Sequence, residues 1–272
     1  MTTSNTPTSG WVQANGLGLH YLDWGNPTAP HVLLLHGLQD CAALWATFAS
    51  SISDRYHVVA LDHRGHGDSP RAEAYPISDY VDEAADAVRA LNLTDVTLIG
   101  HSAGSKNAWM CIAKNPGIAK KLVITDMDPD SHNPGSVAMI SRYKAEDDEY
   151  DSLDEVVERL SDRQPNASDA ETRYDAEVMT IARADAKLTW KRSRDVVTKY
   201  DRPDVWDTLP NVNVPTLIAR GADSTLLRHD VAIRMEQAIP DSKLVEIPGG
   251  GHWMHLEQPE AYSHTVAEFL AT

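Results

Sequence analysis

Residues 98–105 read Leu-Ile-Gly-His-Ser-Ala-Gly-Ser, an apolar strand pattern that runs into Gly-x-Ser-x-Gly with a helix-forming stretch behind it. That context makes Ser102 a candidate nucleophile. At a tight strand-to-helix turn the serine is forced toward positive φ, and the residues two positions either side must lack bulk because the backbones nearly touch. Gly100 and Gly104 meet that demand. The strain lifts the hydroxyl clear of a sheet and aims the next helix N-terminus at a developing oxyanion. A serine of this kind needs a base to take its proton and an acid to orient the base. Among twelve histidines, His252 stands apart because Pro248-Gly-Gly-Gly-His252-Trp follows the last apolar run, and a glycine run lets the backbone swing a side chain over strand ends. His101 is the rival base, yet neighbours on a turn point in different directions. Two backbone N–H groups must also meet the oxyanion. Ala103 supplies one, and Leu38, after Gly37 in His36-Gly37-Leu38-Gln39, supplies the second.

These groups need a frame. His31-Val-Leu-Leu-Leu35, His57-Val-Val-Ala-Leu61, Val96-Thr-Leu-Ile99, Leu122-Val-Ile-Thr125, Thr216-Leu-Ile-Ala219 and Lys243-Leu-Val-Glu-Ile247 are short, apolar and largely β-branched. They read as strands of one sheet. Between them, apolar residues recur three or four apart, as at Leu44, Trp45, Phe48 and Ile52 or Val81, Ala84, Ala85, Val88 and Leu91. This alternation implies an α/β fold, a mostly parallel sheet with helices on both faces. Trp11-Val-Gln-Ala-Asn and Leu19-His-Tyr-Leu-Asp, joined through Asn15-Gly16-Leu17-Gly18, suggest an antiparallel edge hairpin. Gly16-Leu-Gly18 lacks the third glycine of a dinucleotide site. Residues 130–209 break the alternation with an acidic, helical pattern and a capping box at Ser152-Leu-Asp-Glu155. The expected organisation is a core of 1–129 and 210–272 with an inserted helical cap over 130–209.

The 272 residues, 42% apolar and 24% charged, can bury a large core. A net charge of −16 opposes attraction to nucleic acid or anionic membrane. The expected partner is a small-molecule substrate, with a homo-oligomer possible. No run approaches the roughly eighteen apolar residues of a membrane span, and Met-Thr-Thr-Ser-Asn-Thr-Pro has neither a basic start nor an apolar stretch, so a cytoplasmic location is expected. The two cysteines, Cys41 and Cys111, read as small buried hydrophobes rather than a disulfide framework.

Taken in order, His36-Gly37 with Trp45 eight residues beyond Gly37, Asp62-His-Arg-Gly-His-Gly-Asp-Ser69, Gly100-His-Ser-Ala-Gly104 and Gly251-His252-Trp make the chain resemble the α/β-hydrolase family over nearly its whole length. The resemblance implies the α/β-hydrolase fold and, for members with a cap after the sixth strand, serine hydrolysis of esters, amides, lactones or activated C–C bonds without a cofactor. It places His63-Arg-Gly-His66 in the loop after the fourth strand, not at a metal site. Ser105 departs from the second glycine usual there. The acid is less direct. The commonest family pattern ends Gly-x-x-Asp near residue 220, but Gly221-Ala-Asp-Ser224 puts serine in that slot and Asp223 one residue early. A family variant takes its acid from the end of the preceding strand, where Leu122-Val-Ile-Thr-Asp126 ends in a carboxylate 24 residues after Ser102. Asp126 is favoured and Asp223 is the alternative.

The expected activity is therefore that of a carboxylesterase, with Ser102, His252 and Asp126 as the catalytic set, Leu38 and Ala103 as oxyanion donors, and no cofactor or metal. An amide hydrolase of the acetamidomethylene-succinate type and a cofactor-free dioxygenase using a His-Asp dyad are the alternatives, and a non-enzymatic ligand receptor is a further one. A diacid substrate would need fixed cations, for which the cap offers Arg142, Arg159, Arg163 and Arg173. Specificity is expected to lie in cap residues such as Met139, Ile140, Tyr143, Leu153, Trp190 and Trp206.

Overall fold

The computed structural model describes residues 6–130 and 133–272. Eleven strands are present among the described residues: β1 (Thr8–Ala14), β2 (Leu17–Asp23), β3 (His31–Leu35), β4 (His57–Leu61), β5 (Thr97–His101), β6 (Lys121–Thr125), β7 (Glu149–Tyr150), β8 (Thr180–Ala182), β9 (Leu188–Trp190), β10 (Thr216–Gly221) and β11 (Ser242–Ile247). Eight form one sheet in the order β1-β2-β4-β3-β5-β6-β10-β11. The β1–β2 and β2–β4 pairings are antiparallel and the remaining ones parallel. The edge hairpin turns at Asn15 and Gly16, both at positive φ (44° and 77°), which matches a two-residue hairpin turn.

The strand sequences explain why helices cover both faces. In β3, Val32 and Leu34 point to one face and Leu33 and Leu35 to the other, and all four are fully buried. A strand apolar on both sides must be covered on both. On one face lie α2 (Ile77–Ala90), α3 (Ala103–Lys114) and α8 (His229–Ala238), through residues such as Val81, Trp109 and Met235. On the other lie α1 (Ala46–Ile52), α9 (Met254–Glu257) and α10 (Pro259–Leu270), through Phe48, Met254, Tyr262 and Val266. Cys41 and Cys111 are buried and unpaired by disulfide. No described helix is long and apolar enough to cross a membrane.

Between β6 and β10 the chain builds α4 (Pro134–Ala145), α5 (Leu153–Arg163), α6 (Asp169–Met179) and α7 (Arg194–Lys199). The sequence pattern points to helices alone here; the structure adds the antiparallel sheet β7-β9-β8. Strands of two or three residues are too short to leave a periodic signature. Val156, Leu160, Ala176, Met179 and Trp190 of this segment bury against Cys41, Leu44, Trp253 and Leu256. Ile140, Tyr143 and Val196 join Leu38 and Ala103, so the inserted segment packs onto the ends of the strands that carry the candidate site. Of the expected specificity residues, Met139 and Ile140 line the space at Ser102, whereas Tyr143 and Trp190 line a separate cavity. Leu153 is partly buried in the Val156 cluster, and Trp206 packs against the core beneath Arg234.

Candidate active site

Ser102 stands between β5 and α3 with φ 52° and ψ −125°. A side chain on Gly100 would put a carbon 2.3 Å from the Ser105 nitrogen, and one on Gly104 would come 2.1 Å from the Leu35 oxygen. Glycine is therefore obligatory at both places. Ser105, where the resemblance anticipates a glycine, is fully buried. Its hydroxyl donates to Gly100 O at 2.6 Å and accepts from the Thr125 N–H at 3.0 Å, so it ties the turn to β6 instead of disturbing the packing.

The loop after β11 brings His252 over the strand ends. Gly221 closes β10 so near this loop that a Cβ there would lie 2.2 Å from Gly251 O. The Ser102 hydroxyl donates to His252 Nε2 at 3.0 Å, and His252 Nδ1–H donates to Asp126 Oδ2 at 2.7 Å. Asp126 follows β6 with φ 49°, and its N–H donates to Ala219 O at 2.9 Å. Its carboxylate is fully buried and also accepts from the Ser224 hydroxyl at 2.5 Å and from Gly221 N–H at 3.3 Å. Asp223 is exposed, and its N–H is engaged by Gly250 O. Thus Ser102, His252 and Asp126 are brought together, and Asp223 is not among them.

Leu38 and Ala103 line the same pocket as Ser102. Ala103 opens α3, so its N–H is one of the helix's first, unpaired donors. Gly37 lies against the turn, since a Cβ there would be 3.2 Å from that of Ser102. Two histidines brace this loop from below. His36 Nδ1–H donates to Gly37 O at 2.8 Å while its Nε2 accepts from the His63 N–H. Burial pushes the His36 pKa down, which suits that neutral form. His66 Nε2–H donates to Leu38 O at 2.8 Å.

The sequence did not disclose what His101 does. Its Nδ1 faces Asp40 Oδ2 at 3.0 Å and its Nε2 faces the carbonyl oxygen of His252 at 2.9 Å. Its ring therefore supports the backbone of the residue that touches Ser102. Against the burial that pushes it up, the hydrogen bond from His101 and the charge of Arg163 hold the Asp40 carboxyl far below the ordinary carboxylate range. Arg163, from α5, donates to Asp40 Oδ1 at 3.2 Å and stacks over Trp253 at 4.5 Å. The other three arginines expected to serve a diacid are paired as well, Arg142 and Arg159 with Glu146 and Arg173 with Asp154. None of the four stands ready to bind a substrate carboxylate.

Among the described residues, one trio has the proximity to hold a metal: His20, Asp62 and Asp68. Its inner atoms are already engaged, because Asp62 Oδ2 accepts from His20 Nδ1–H and from the Asp68 N–H. His63 and His66 are not part of it.

Residues 32–265 match the family model described as the alpha/beta hydrolase family. The 2-(acetamidomethylene)succinate hydrolase of Mesorhizobium japonicum is 26% identical over 246 residues, 89% of this chain and 88% of that protein. The sn-1-specific diacylglycerol lipase ABHD11 of Mus musculus is 26% identical over 264 residues, 94% of this chain and 85% of that protein. The crystal structure of an E-2-(acetamidomethylene)succinate hydrolase superposes with a TM-score of 0.91 at 27% identity, covering 98% of this chain and all of that one. With the family model spanning most of its length, this chain belongs to the alpha/beta hydrolase family.

Proposed function

We propose that the protein is a serine hydrolase that cleaves a carboxylic ester of a small molecule through an acyl-enzyme. The observation that carries this reading is the unbroken hydrogen-bonded chain from the Ser102 hydroxyl through His252 to Asp126. Ser102 Oγ attacks the carbonyl carbon as His252 Nε2 takes its proton. Asp126 holds the imidazole with Nδ1 protonated and stabilises the imidazolium that forms. The N–H groups of Leu38 and Ala103 receive the oxyanion, and loss of one such donor typically costs about 10²–10³ in rate. His252 then gives its proton to the departing alcohol. Water, deprotonated by the same histidine, attacks the acyl group and releases the carboxylic acid and free Ser102.

The same atoms cleave amides when the leaving nitrogen is well protonated. That second reading is favoured by the likeness to the 2-(acetamidomethylene)succinate hydrolase, whose named substrate carries an amide. Oxygenase chemistry on a His-Asp dyad would leave the Ser102–His252 hydrogen bond without use, so the hydrolase reading is preferred. Intact mass after treatment with a fluorophosphonate, for wild type and Ser102→Ala side by side, tests it. A single adduct on wild type alone is expected; no adduct on either protein refutes an activated Ser102.

A further inference from the structure

Resting on the hydrolase reading above, we propose that the substrate is anionic and that its carboxylate is received by Lys106 and Arg202 in the pocket that holds Ser102. Lys106 lies one helical turn beyond Ser102 on α3 and is 2% exposed. An ammonium taken out of water is costly unless it is paired. Yet its one hydrogen bond, to Pro203 O, is 3.5 Å long, and it has no ion pair among the described residues. Arg202 has a single contact of 3.4 Å with Ser136 O and likewise no ion pair there. Both cations line the Ser102 pocket, as does Tyr200, whose buried hydroxyl has no partner. The rest of that wall is largely apolar, with Met127, Met139, Ile140 and Leu226. Two cations held only by long contacts to carbonyl oxygens, and one hydroxyl without a partner, in a largely apolar pocket are what a carboxylate would complete.

The approach has the same sign. A groove of about 300 Å³ shares Leu38, Ile140, Tyr200 and Arg202 with the pocket, and its charged lining residues are Lys144 and Arg202 with no described acid. On a chain of net charge −16, a basic path ending at the nucleophile steers anions against the overall field. Acids are present nearby as well, Asp128 buried, Asp130 half-buried and Asp204 exposed. Asp130 also lines the pocket, and Asp128, Asp204 and Asp130 act on Lys106 from a distance, as does Arg202 with opposite effect. Asp128 is already occupied, accepting from the Asp130 N–H and from Asn133 Nδ2. Burial pushes Lys106 down to about 8 against the pull of these carboxylates, so it is charged at neutral pH.

The test compares two esters of one leaving group, 4-nitrophenyl hemisuccinate and 4-nitrophenyl butyrate, in wild type, Lys106→Met and Arg202→Gln. Wild type should prefer the anionic ester in kcat/KM, with the ratio falling as pH rises through about 8. Lys106→Met should lower kcat/KM for the hemisuccinate by roughly 100-fold while the butyrate changes by less than about threefold. Its melting temperature should hold or rise, because a buried ammonium has been removed; a purely structural lysine would show the reverse. Calorimetric titration of succinate into Ser102→Ala, with and without Lys106→Met, reads the pocket without turnover and should show binding weakened at least about tenfold by the second substitution. Equal use of both esters by wild type, or equal losses on both in Lys106→Met, overturns the anionic substrate while leaving the hydrolase intact. Succinate binding that depends on Lys106, in a protein that hydrolyses neither ester and takes no fluorophosphonate, keeps the pocket and discards the hydrolase.

Discussion

The Ser224 hydroxyl donates to Asp126 Oδ2 at 2.5 Å, the same oxygen that receives His252 Nδ1–H. The residue in the position where the commonest family pattern carries its acid is here a hydrogen-bond donor to the acid supplied by the neighbouring strand. Adjacent strand ends make this possible, since β6 and β10 pair in parallel with Thr125 opposite Ala219. A carboxylate at either end lies within reach of the same imidazole. With Asp126 buried, a second carboxylate at 224 would place two like charges together, whereas a hydroxyl there stabilises the one that remains.

Three substitutions separate these roles. Asp126→Asn should lower kcat by about 10⁴, because the imidazole loses both its tautomer and its counter-charge. Ser224→Ala should lower it by roughly 10-fold to 100-fold through the loss of one hydrogen bond to a charged group, with KM little changed. Asp223→Asn, on an exposed side chain, should stay within about twofold. A larger loss at Asp223 than at Asp126 in steady-state kinetics would exchange the two assignments.

Much of this was legible because the physics is local. Runs such as His31–Leu35 are apolar on both faces and show themselves as buried strands, and Ser102 is flanked by glycines that its neighbours' backbones demand. What sequence could not show depends on side chains that meet only in the folded chain. Asp40 and His101 are 61 residues apart, and Arg163 is 123 from Asp40. Ser224 could be seen as a missing acid but not as a donor to Asp126. Lys106 had a faint signal, since four residues from Ser102 on a helix places it on the same face; its partner Arg202 comes from beyond α7 and had none.

The path Arg163–Asp40–His101–His252 O joins the inserted segment to the loop that carries the candidate base. Asp40→Asn and Arg163→Met should each lower kcat, by about tenfold, with smaller effects on KM. Because they share one hydrogen-bonded network, the double variant should fall short of the sum by roughly 0.5–3 kcal/mol in a double-mutant cycle on kcat. Strict additivity would mean that the cap and the His252 loop are held independently.

Gly104 and Gly117 distinguish lack of space from backbone conformation. Gly104→Ala would drive a carbon to 2.1 Å from Leu35 O at the end of β3 and 2.6 Å from His36 O, which opens the oxyanion loop. That variant should melt several degrees lower and lose activity beyond what the stability change explains. Gly117 has nothing within 4 Å but sits at φ 84°, so Gly117→Ala should cost about 1 kcal/mol with full activity. Scanning calorimetry with a fluorophosphonate labelling rate on each folded variant checks both. Equal stability losses at the two sites, with labelling rates unchanged, would contradict close contact at Gly104.

Asp175 gives the fold a pH dependence away from the candidate site. It is fully buried in α6, one oxygen accepts from Gln164 Nε2 at 2.6 Å, and the other has no partner. Burial pushes its carboxyl up from 3.8 to about 7. At pH 4 and below the folded chain keeps the proton at no disadvantage. Between about 4 and 7 the unfolded chain releases it while the folded chain retains it, so stability falls as pH rises through this window. Asp175→Asn cannot ionise and preserves an acceptor for Gln164. Its melting temperature should match wild type near pH 4 and exceed it by roughly 3 °C or more at pH 8. A melting-temperature difference that is the same at both pH values would mean that Asp175 ionises in the folded protein as readily as in the unfolded chain.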